Sequence, residues 1–392
     1  MLNRQKIMLL IPLKPGFPQQ ILTGIRKYTI GLNHWTWRGV APEAKAAELI
    51  RQWRPDGIIG WIRNPEVVHA LLDLKIPSVD VAGFLQEVPG GRVRPDDFQT
   101  GKLAAEFFMK KGYKHFAFFG VPDLLFSQQR QNGFTKTLRS AGFCCDSLLV
   151  TALAVSRRAS IQWSEVIPEV GPWVKKIKRQ KRQTAIYCSH DEYALSMLSS
   201  CGNLNIRVPD DAAVLGTDDN DLVCSLATPS LSSVHQDIGR IGFEAAKLLD
   251  DMLNGSADPH VSITIPGSTV TMRESTDRLT LSDADVTAAI RIIRANNSRR
   301  LKVNEIVEGV ATSRRSLELK FKKYLGRGIH EEILRARVDH AKELMRETDL
   351  QLKAVATRAG FTDRNRLLHA FRAMTGMSPS AYRRQEQGGW KK

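Results

Sequence analysis

The sequence predicts an α/β domain built on parallel sheets, followed by an all-α domain with two helix-turn-helix units. Residues 5–275 alternate short apolar runs with amphipathic helical patterns, which is typical of a parallel α/β sheet. Residues 283–386 contain two matched copies of one helical pattern. Residues 283–392 carry 24 Lys and Arg against 13 Asp and Glu, so most of the chain's net charge of +16 lies there.

The overall composition favours a polyanionic partner and argues against a metal or redox role. A length of 392 residues is enough for two or three domains. The five cysteines form no C-x-x-C pair and no zinc-ligand spacing, so we expect neither a metal nor a cofactor. The apolar run at residues 7–11 is too short for a signal peptide or a membrane span. We therefore expect a cytoplasmic, nucleoid-associated protein without a membrane partner.

The first region alternates predicted strands and helices. Strands are predicted at residues 7–13, 35–40, 57–61, 78–81, 115–119, 185–188, 213–216 and 262–265. Helices are predicted at residues 19–31, 44–53, 65–72, 98–111, 130–141, 192–199 and 239–253. No G-x-G-x-x-G, P-loop or G-x-S-x-G motif occurs. These absences favour a ligand-binding platform over an enzyme, with the ligand at the carboxyl ends of the strands.

Several segments of this region carry a family resemblance. They are residues 93–97, 101–108, 112–120, 130–134, 186–194, 208–219 and 229–246. In this order they resemble the ligand-binding domain of LacI/GalR regulators and the related periplasmic sugar-binding proteins. The resemblance implies a type I periplasmic-binding-protein-like fold of two lobes with a small sugar between them. One lobe would be about 5–113 plus 237–258, and the other about 114–234 plus the last strand.

The same resemblance implies a set of sugar contacts. They are Phe17, Arg130, His190, Asp191, Asp218 and Gln236. An arginine fork and a carboxylate suit vicinal hydroxyls, and the aromatic ring of Phe17 would stack on the sugar. His190 stands where the family often has Asn. Alternatives remain open: Asp191 could instead cap the following helix, and Arg130 with Asp218 could form an ion pair inside one lobe.

The second region repeats a helix-turn-helix pattern. Val303, Ile306, Val307 and Val310 match Leu352, Val355, Ala356 and Ala359. Ser313 or Thr362 is the expected N-cap of the next helix. In that helix only Leu317 and Phe321, or Leu367 and Phe371, need face the core. The remaining positions are basic or polar, which suits a DNA major groove, although a solvated basic face is the alternative.

The second copy ends in a motif specific to one family. Gly360-Phe361, Phe371, Gly376-Met-Ser-Pro379 and Ala381-Tyr-Arg-Arg384 follow in order, and an amphipathic helix over residues 333–345 separates the copies. Together these resemble the AraC/XylS DNA-binding domain over residues 283–386. That resemblance implies two recognition helices in successive major grooves, although Ala311-Thr312 replaces the usual Gly-apolar turn. We expect DNA contacts from Arg314, Arg315, Glu318, Arg364, Asn365, Arg366 and His369.

Residues 276–282 are predicted to link the two domains. A sugar-binding domain first and a DNA-binding domain last is similar to the order in pentose-responsive activators. It implies D-xylose, or else another small carbohydrate, as effector. We expect a transcriptional activator of pentose catabolic genes that binds double-stranded DNA as a homodimer, contacts RNA polymerase, and switches when ligand closes the lobes. A sugar-metabolising enzyme with a basic tail, or a transport receptor, would need a catalytic constellation or a signal peptide that this sequence lacks.

Overall fold

Two compact units make up the chain, Met1–Arg278 and Leu279–Lys392, and each is considered by itself. The computed structural model describes residues 4–13, 16–32, 34–151, 167–180, 182–258, 260–267, 269–277, 283–296, 299–348 and 350–388. No helix in these ranges is long and apolar enough to cross a membrane. Residues 278–282, most of the predicted linker, lie outside them. Thr276, also predicted to be linker, is fully buried and donates to Ser232, so it belongs to the first unit.

The first sheet of the first unit is entirely parallel, in the order β11-β5-β4-β3-β1-β2. Its strands are β1 (Gln5–Leu10), β2 (Trp35–Gly39), β3 (Gly57–Gly60), β4 (Ser78–Asp80), β5 (Gly91–Pro95) and β11 (Ser262–Ile265). Helices α1 (Phe17–Thr29), α2 (Ala46–Trp53), α3 (Pro65–Leu74) and α9 (Ile238–Leu253) pack against it. The apolar run at residues 7–13 is strand only to Leu10, and Leu13 is exposed to solvent.

The second sheet is parallel except at one edge, in the order β12-β10-β9-β8-β6-β7. Its strands are β6 (His115–Gly120), β7 (Cys145–Leu149), β8 (Thr184–Cys188), β9 (Ala212–Asp218), β10 (Ser232–His235) and β12 (Thr269–Thr271). Its helices are α4 (Asp97–Lys110), α5 (Leu125–Ser140), α6 (Val170–Arg179), α7 (Asp191–Asn203) and α8 (Asp221–Leu226). β12 is an edge strand and runs antiparallel to β10.

The two sheets confirm the predicted two-lobed periplasmic-binding-protein-like fold, with two changes of membership. The last predicted strand, residues 262–265, was expected in the second lobe, but β11 pairs with β5 in the first. We expected α4 in the first lobe, but Ala104 and Phe108 share the core of the second lobe with Phe134. Gly101 permits this packing, because an added Cβ there would lie 2.0 Å from the backbone oxygen of Arg130 on α5. The chain therefore crosses between lobes after β5, after β10 and after β11.

The second unit confirms the predicted all-α double helix-turn-helix fold. Its described helices are α10 (Ala284–Ala295), α11 (Val303–Val310), α12 (Arg314–Leu325), α13 (Ile329–Glu347), α14 (Leu352–Arg358), α15 (Arg364–Thr375) and α16 (Pro379–Gly388). Leu317 and Phe321 enter one core, while Leu367 and Phe371 enter the other. The long α13 serves both, since its first half packs in the first core and its second half in the second.

The two helix-turn-helix turns differ in length. Ser313 caps α12, as predicted, by accepting a hydrogen bond from the Ser316 backbone N–H at 3.1 Å. The predicted cap Thr362 is wrong: Asp363 caps α15 and accepts from the Arg366 N–H at 2.9 Å. Thr362 instead donates to the Asp363 carboxylate. The matched residues are therefore 49 positions apart before the turn and 50 apart after it.

Candidate ligand cleft and nucleic-acid interface

Arg130 is the centre of a buried polar network at the carboxyl ends of the second sheet. Its side chain, on α5, is only 3% exposed. Nε donates to Asp97 at 2.8 Å, and Nη2 donates to Gln236 Oε1 at 3.2 Å. Nη1 donates to the Ser189 carbonyl at 2.5 Å and lies 3.4 Å from Asp218 Oδ1. The alternative that Arg130 and Asp218 form an ion pair inside one lobe is therefore correct. One guanidinium nitrogen of Arg130 faces Asp218.

The charges of this network perturb its ionisable groups. Burial alone lowers the pKa of Arg130, but the carboxylates of Asp97 and Asp218 outweigh burial and raise it. Burial raises the pKa of Asp97 to about 6, although the charge of Arg130 opposes that rise. Arg130 is thus a permanent cation, and the short contact at 2.8 Å favours the ionised form of Asp97 at neutral pH.

Asp218 ends β9, and one of its oxygens is ion-paired with Arg130 but accepts no hydrogen bond. Its Oδ2 lies 3.0 Å from His190 Nε2. Its Oδ1 is buried, and no described group donates a hydrogen bond to it. A buried carboxylate oxygen without a donor is costly. This atom therefore marks a place where a hydroxyl donor would be stabilised.

His190 begins α7 and faces Asp218. Burial lowers the pKa of the imidazole, but the charge of Asp218 outweighs this and raises it to about 9. The Glu192 backbone N–H opposes protonation, because it donates to Nδ1 at 3.2 Å and needs a lone pair there. In either charge state Nε2–H donates to Asp218, so His190 orients that carboxylate.

Asp191 lies behind the cleft rather than in it. It is 1% exposed, and its two oxygens accept from Ser233 Oγ at 2.6 Å and from the Asn220 N–H at 2.9 Å. Burial, with Asp218 adding to it, raises the pKa of Asp191 to about 7. The N-cap of α7 is His190, so the alternative in which Asp191 caps that helix is wrong. Asp191 instead braces the turn that follows β9.

Aromatic rings connect the two lobes. Phe17, the first residue of α1, lies 6.2 Å from Trp61, which lies 5.4 Å from Phe84 (ring centroids). Phe84 then meets Phe126 of α5 at 6.2 Å, and the Arg130 guanidinium lies 5.0 Å from the Phe126 ring. Trp61 Nε1 is buried with no hydrogen-bond partner among the described residues. Our sequence reasoning missed Trp61, Phe84 and Phe126. Trp61 could have been found, since it directly follows the buried strand β3.

The remaining predicted contact, Gln236, is buried with both amide ends occupied. Its Oε1 accepts from Arg130, and its Nε2 donates to Thr100 Oγ1 at 3.2 Å. It therefore supports Arg130 in this structure. No cluster of three or more His, Cys, Asp or Glu suited to a metal occurs within the described ranges.

The recognition helices expose most of the predicted DNA contacts. Those that are exposed are Arg314 and Arg315 on α12, and Arg364, Asn365, Arg366 and His369 on α15. Glu318 is half-buried, and its Oε2 lies 3.5 Å from the Ile329 N–H at the start of α13. Lys320, which the pattern grouped with the groove-facing residues, is held by Asp285 and Asp283 at 2.6 and 3.0 Å. Leu319, which is matched to His369, is 63% exposed on the same helix and was not among the predicted contacts.

Comparisons with known proteins agree with this architecture. A model described as a periplasmic binding protein-like domain matches residues 105–276, and one described as a helix-turn-helix domain matches residues 306–385. The fold and these matches define the class of protein: a transcription regulator in which a ligand-binding domain of periplasmic type precedes a helix-turn-helix DNA-binding domain. The predicted class, a transcription regulator, is confirmed.

Full-length similarity points to one group of regulators. The chain is 29% identical to the xylose operon regulatory protein of Haemophilus influenzae, over 96% of this chain and 98% of the relative. It is 27% identical to that of Escherichia coli K12, over 97% of each chain. The solved structure of the xylose-binding transcription activator xylR matches with a TM-score of 0.68 and 25% identity, over 98% of this chain and 99% of that one. These relatives are named as regulators, not as enzymes.

Proposed function

We propose that this chain is a D-xylose-responsive activator of pentose catabolic genes. The observation that carries the proposal is the buried, donor-free Oδ1 of Asp218 at the end of β9. A sugar hydroxyl would supply the missing donor. The named activity of the full-length relatives suggests xylose as the sugar.

The sugar would be held by groups of opposite polarity. Asp218 accepts from adjacent hydroxyls, while Arg130 and His190 donate to ring and hydroxyl oxygens. Phe17, with Trp61 beside it, covers the apolar face of the sugar. Gln236 supports Arg130, and Asp191 supports the turn. Because Phe17 and Asp218 belong to different lobes, the ligand stabilises the closed arrangement of the two lobes.

The second domain would read promoter DNA. The residues that contact base edges are Arg314, Arg315, Arg364, Asn365, Arg366 and His369. Glu318 contacts a base only after its side chain releases the Ile329 N–H at the start of α13. The regulator acts as a homodimer in the cytoplasm and contacts RNA polymerase. The ligand domain spans 5–275 and the DNA-binding domain 283–386.

A thermal-shift screen of the full chain against pentoses and hexoses tests the proposal. D-Xylose should raise the melting temperature in proportion to the logarithm of its concentration, because it binds only the folded state. The Asp218→Asn variant should show a much smaller shift at the same xylose concentration, and the surface variant Asp211→Asn should respond like wild type. A shift with a different monosaccharide alone would replace xylose by that sugar. No shift with any sugar would overturn the proposed effector class.

A further inference from the structure

The residue after Asp218 is held more firmly than Asp218 itself. The side chain of Asp219 is 5% exposed. Its Oδ1 accepts from Arg273 Nη1 at 2.8 Å, and its Oδ2 accepts from Thr271 Oγ1 at 2.5 Å. His235 Nδ1 lies 3.2 Å from the same Oδ2. The Asp219 backbone N–H donates to Ser233 Oγ at 3.0 Å. The Asp219 residue is thus bonded to side chains from β10, from β12 and from the segment after β12.

These contacts hold a strained backbone turn at Asp218 and Asp219. Asp218 and Asp219 have φ angles of 103° and 52°, in the left-handed region that disfavours residues with a side chain. Each such residue costs about 1–3 kcal/mol and persists only where its surroundings enforce it. The Arg273 pair is one of several contacts that enforce this turn, together with those from Thr271, His235 and Ser233.

Arg273 lies on the segment that leads out of the first unit. Its backbone N–H donates to Ser232 Oγ at 2.7 Å, and Ser275 Oγ donates to the Val214 carbonyl at 2.6 Å. Thr276 Oγ1 donates to Ser232 Oγ at 2.7 Å. The first unit ends at Arg278, so this bonded segment is the covalent route to the DNA-binding unit.

We propose that Asp219 and Arg273 are positioning residues that couple the sugar-binding turn to the chain segment leading to the DNA-binding domain. The inference rests on the proposed function, in which Asp218 accepts hydroxyls from the sugar. Neither residue touches the sugar. Asp219 sets the backbone of Asp218, and any change of that turn on ligand binding is transmitted through Arg273 to residues 273–277. The sugar and the exit segment therefore act on the same turn.

If Asp219 and Arg273 only stabilised the fold, their removal would have a different effect on sugar and DNA binding. Loss of a brace weakens folding and lowers sugar and DNA affinity together. Loss of a coupling contact leaves both single affinities and removes the effect of one ligand on the other. The quantity that separates these roles is the ratio of DNA affinity with sugar to DNA affinity without it.

The test uses the full chain, D-xylose, and a DNA fragment selected from a random pool by the wild-type protein in the presence of xylose. Sugar affinity is measured by calorimetry, and DNA affinity by fluorescence anisotropy with and without saturating xylose. We expect Arg273→Gln to keep its xylose Kd within about threefold, while the DNA affinity ratio falls at least tenfold towards unity. Arg273→Lys should recover part of the ratio, because it restores the charge but not the fork.

Two further variants keep the outcome decisive. The double variant Asp219→Asn/Arg273→Gln removes both charges, so no uncompensated buried charge is left if the single variant fails to fold. Arg207→Gln is the matched control, since it breaks the exposed Arg207–Asp211 pair of the same lobe. An unchanged DNA ratio in folded Arg273→Gln or in the double variant overturns this inference alone. A wild-type chain that binds no xylose overturns the proposed function and this inference with it.

Discussion

Ala311 and Gly360 occupy the same left-handed turn position in the two helix-turn-helix units, with φ angles of 55° and 73°. Glycine adopts this conformation freely, whereas an alanine Cβ crowds the following carbonyl. The first unit therefore carries local strain that the second unit avoids. The sequence shows that alanine replaces glycine at position 311. The structure shows that the backbone there keeps the left-handed conformation.

Replacing Ala311 with glycine should stabilise the DNA-binding domain by about 1 kcal/mol, because relief of left-handed strain exceeds the entropy glycine loses on folding. Differential scanning calorimetry of the full chain measures the change in the corresponding transition. Gly360→Ala is the reciprocal variant and should destabilise by a similar amount. Equal transition temperatures for Ala311→Gly and wild type would show that neighbouring contacts relieve the strain.

Removing the charge of Asp218 should weaken sugar binding without unfolding the lobe. Asp218→Asn keeps the shape but weakens the contacts with His190 and the sugar hydroxyls. The expected loss is about 2–3 kcal/mol, roughly a hundredfold in Kd. Calorimetric titration with D-xylose measures it. Near-wild-type affinity in this variant would remove Asp218 from the site.

The DNA contacts should divide into two groups. Asn365→Ala on α15 should cost about 1–3 kcal/mol on the selected site and relax preference at one base pair. Lys322, an exposed cation in the last turn of α12, is expected to contact phosphate rather than bases. Lys322→Ala should therefore weaken binding to all sequences alike and reduce the salt slope by about one. Anisotropy titrations against selected and scrambled duplexes at several salt concentrations separate the two. The same pattern of losses in both variants would contradict the division.

The contacts of Asp219 with His235, Thr271 and Arg273 predict how the free energy of unfolding depends on pH in the acid range. Burial raises the pKa of Asp219, but the donors His235, Arg273 and Thr271 outweigh burial and hold the pKa well below its usual value. A carboxyl group with a lowered folded pKa stabilises the protein above its unfolded pKa, about 3.9, and this is lost as pH falls further. Urea unfolding of wild type and Asp219→Asn should therefore differ most near neutral pH and converge below about pH 4. A constant difference across that range would exclude the ionised form as the stabilising one.

The close approach of α4 and α5 should not tolerate a methyl group. Gly101→Ala places a Cβ 2.0 Å from the Arg130 carbonyl oxygen, so the helices must separate. Destabilisation of about 2–3 kcal/mol is expected from overpacking, with weaker xylose binding because Arg130 moves. Gly202→Ala on α7 is the matched control, since nothing lies within 4 Å of its added Cβ. Chemical denaturation compares the two variants, and equal midpoints would argue against this packing constraint.

Most elements with continuous apolar or strongly amphipathic patterns were predicted from the sequence; β5, β7, β10, β12, α6 and α8 were not. β3 and β6 are continuous apolar runs, whereas the edge strands β7 and β12 alternate weakly and depend on their neighbours. The cap of α15 was misplaced by one residue, because both Thr362 and Asp363 are good caps and only turn length decides between them. Arg130, His190 and Asp218 do meet, as the resemblance implied. The placement of Asp191 and the aromatic rings depends on tertiary packing that no local pattern encodes.

The three crossings between the lobes limit how this protein can be divided or recombined. Each lobe is assembled from separated stretches of chain, so no single cut in the gene yields one lobe with a complete sheet. The helical unit, in contrast, is one uninterrupted stretch after Arg278. A new DNA specificity can thus be acquired as one cassette at that junction, whereas a new effector specificity has to arise by point substitutions within an indivisible receptor.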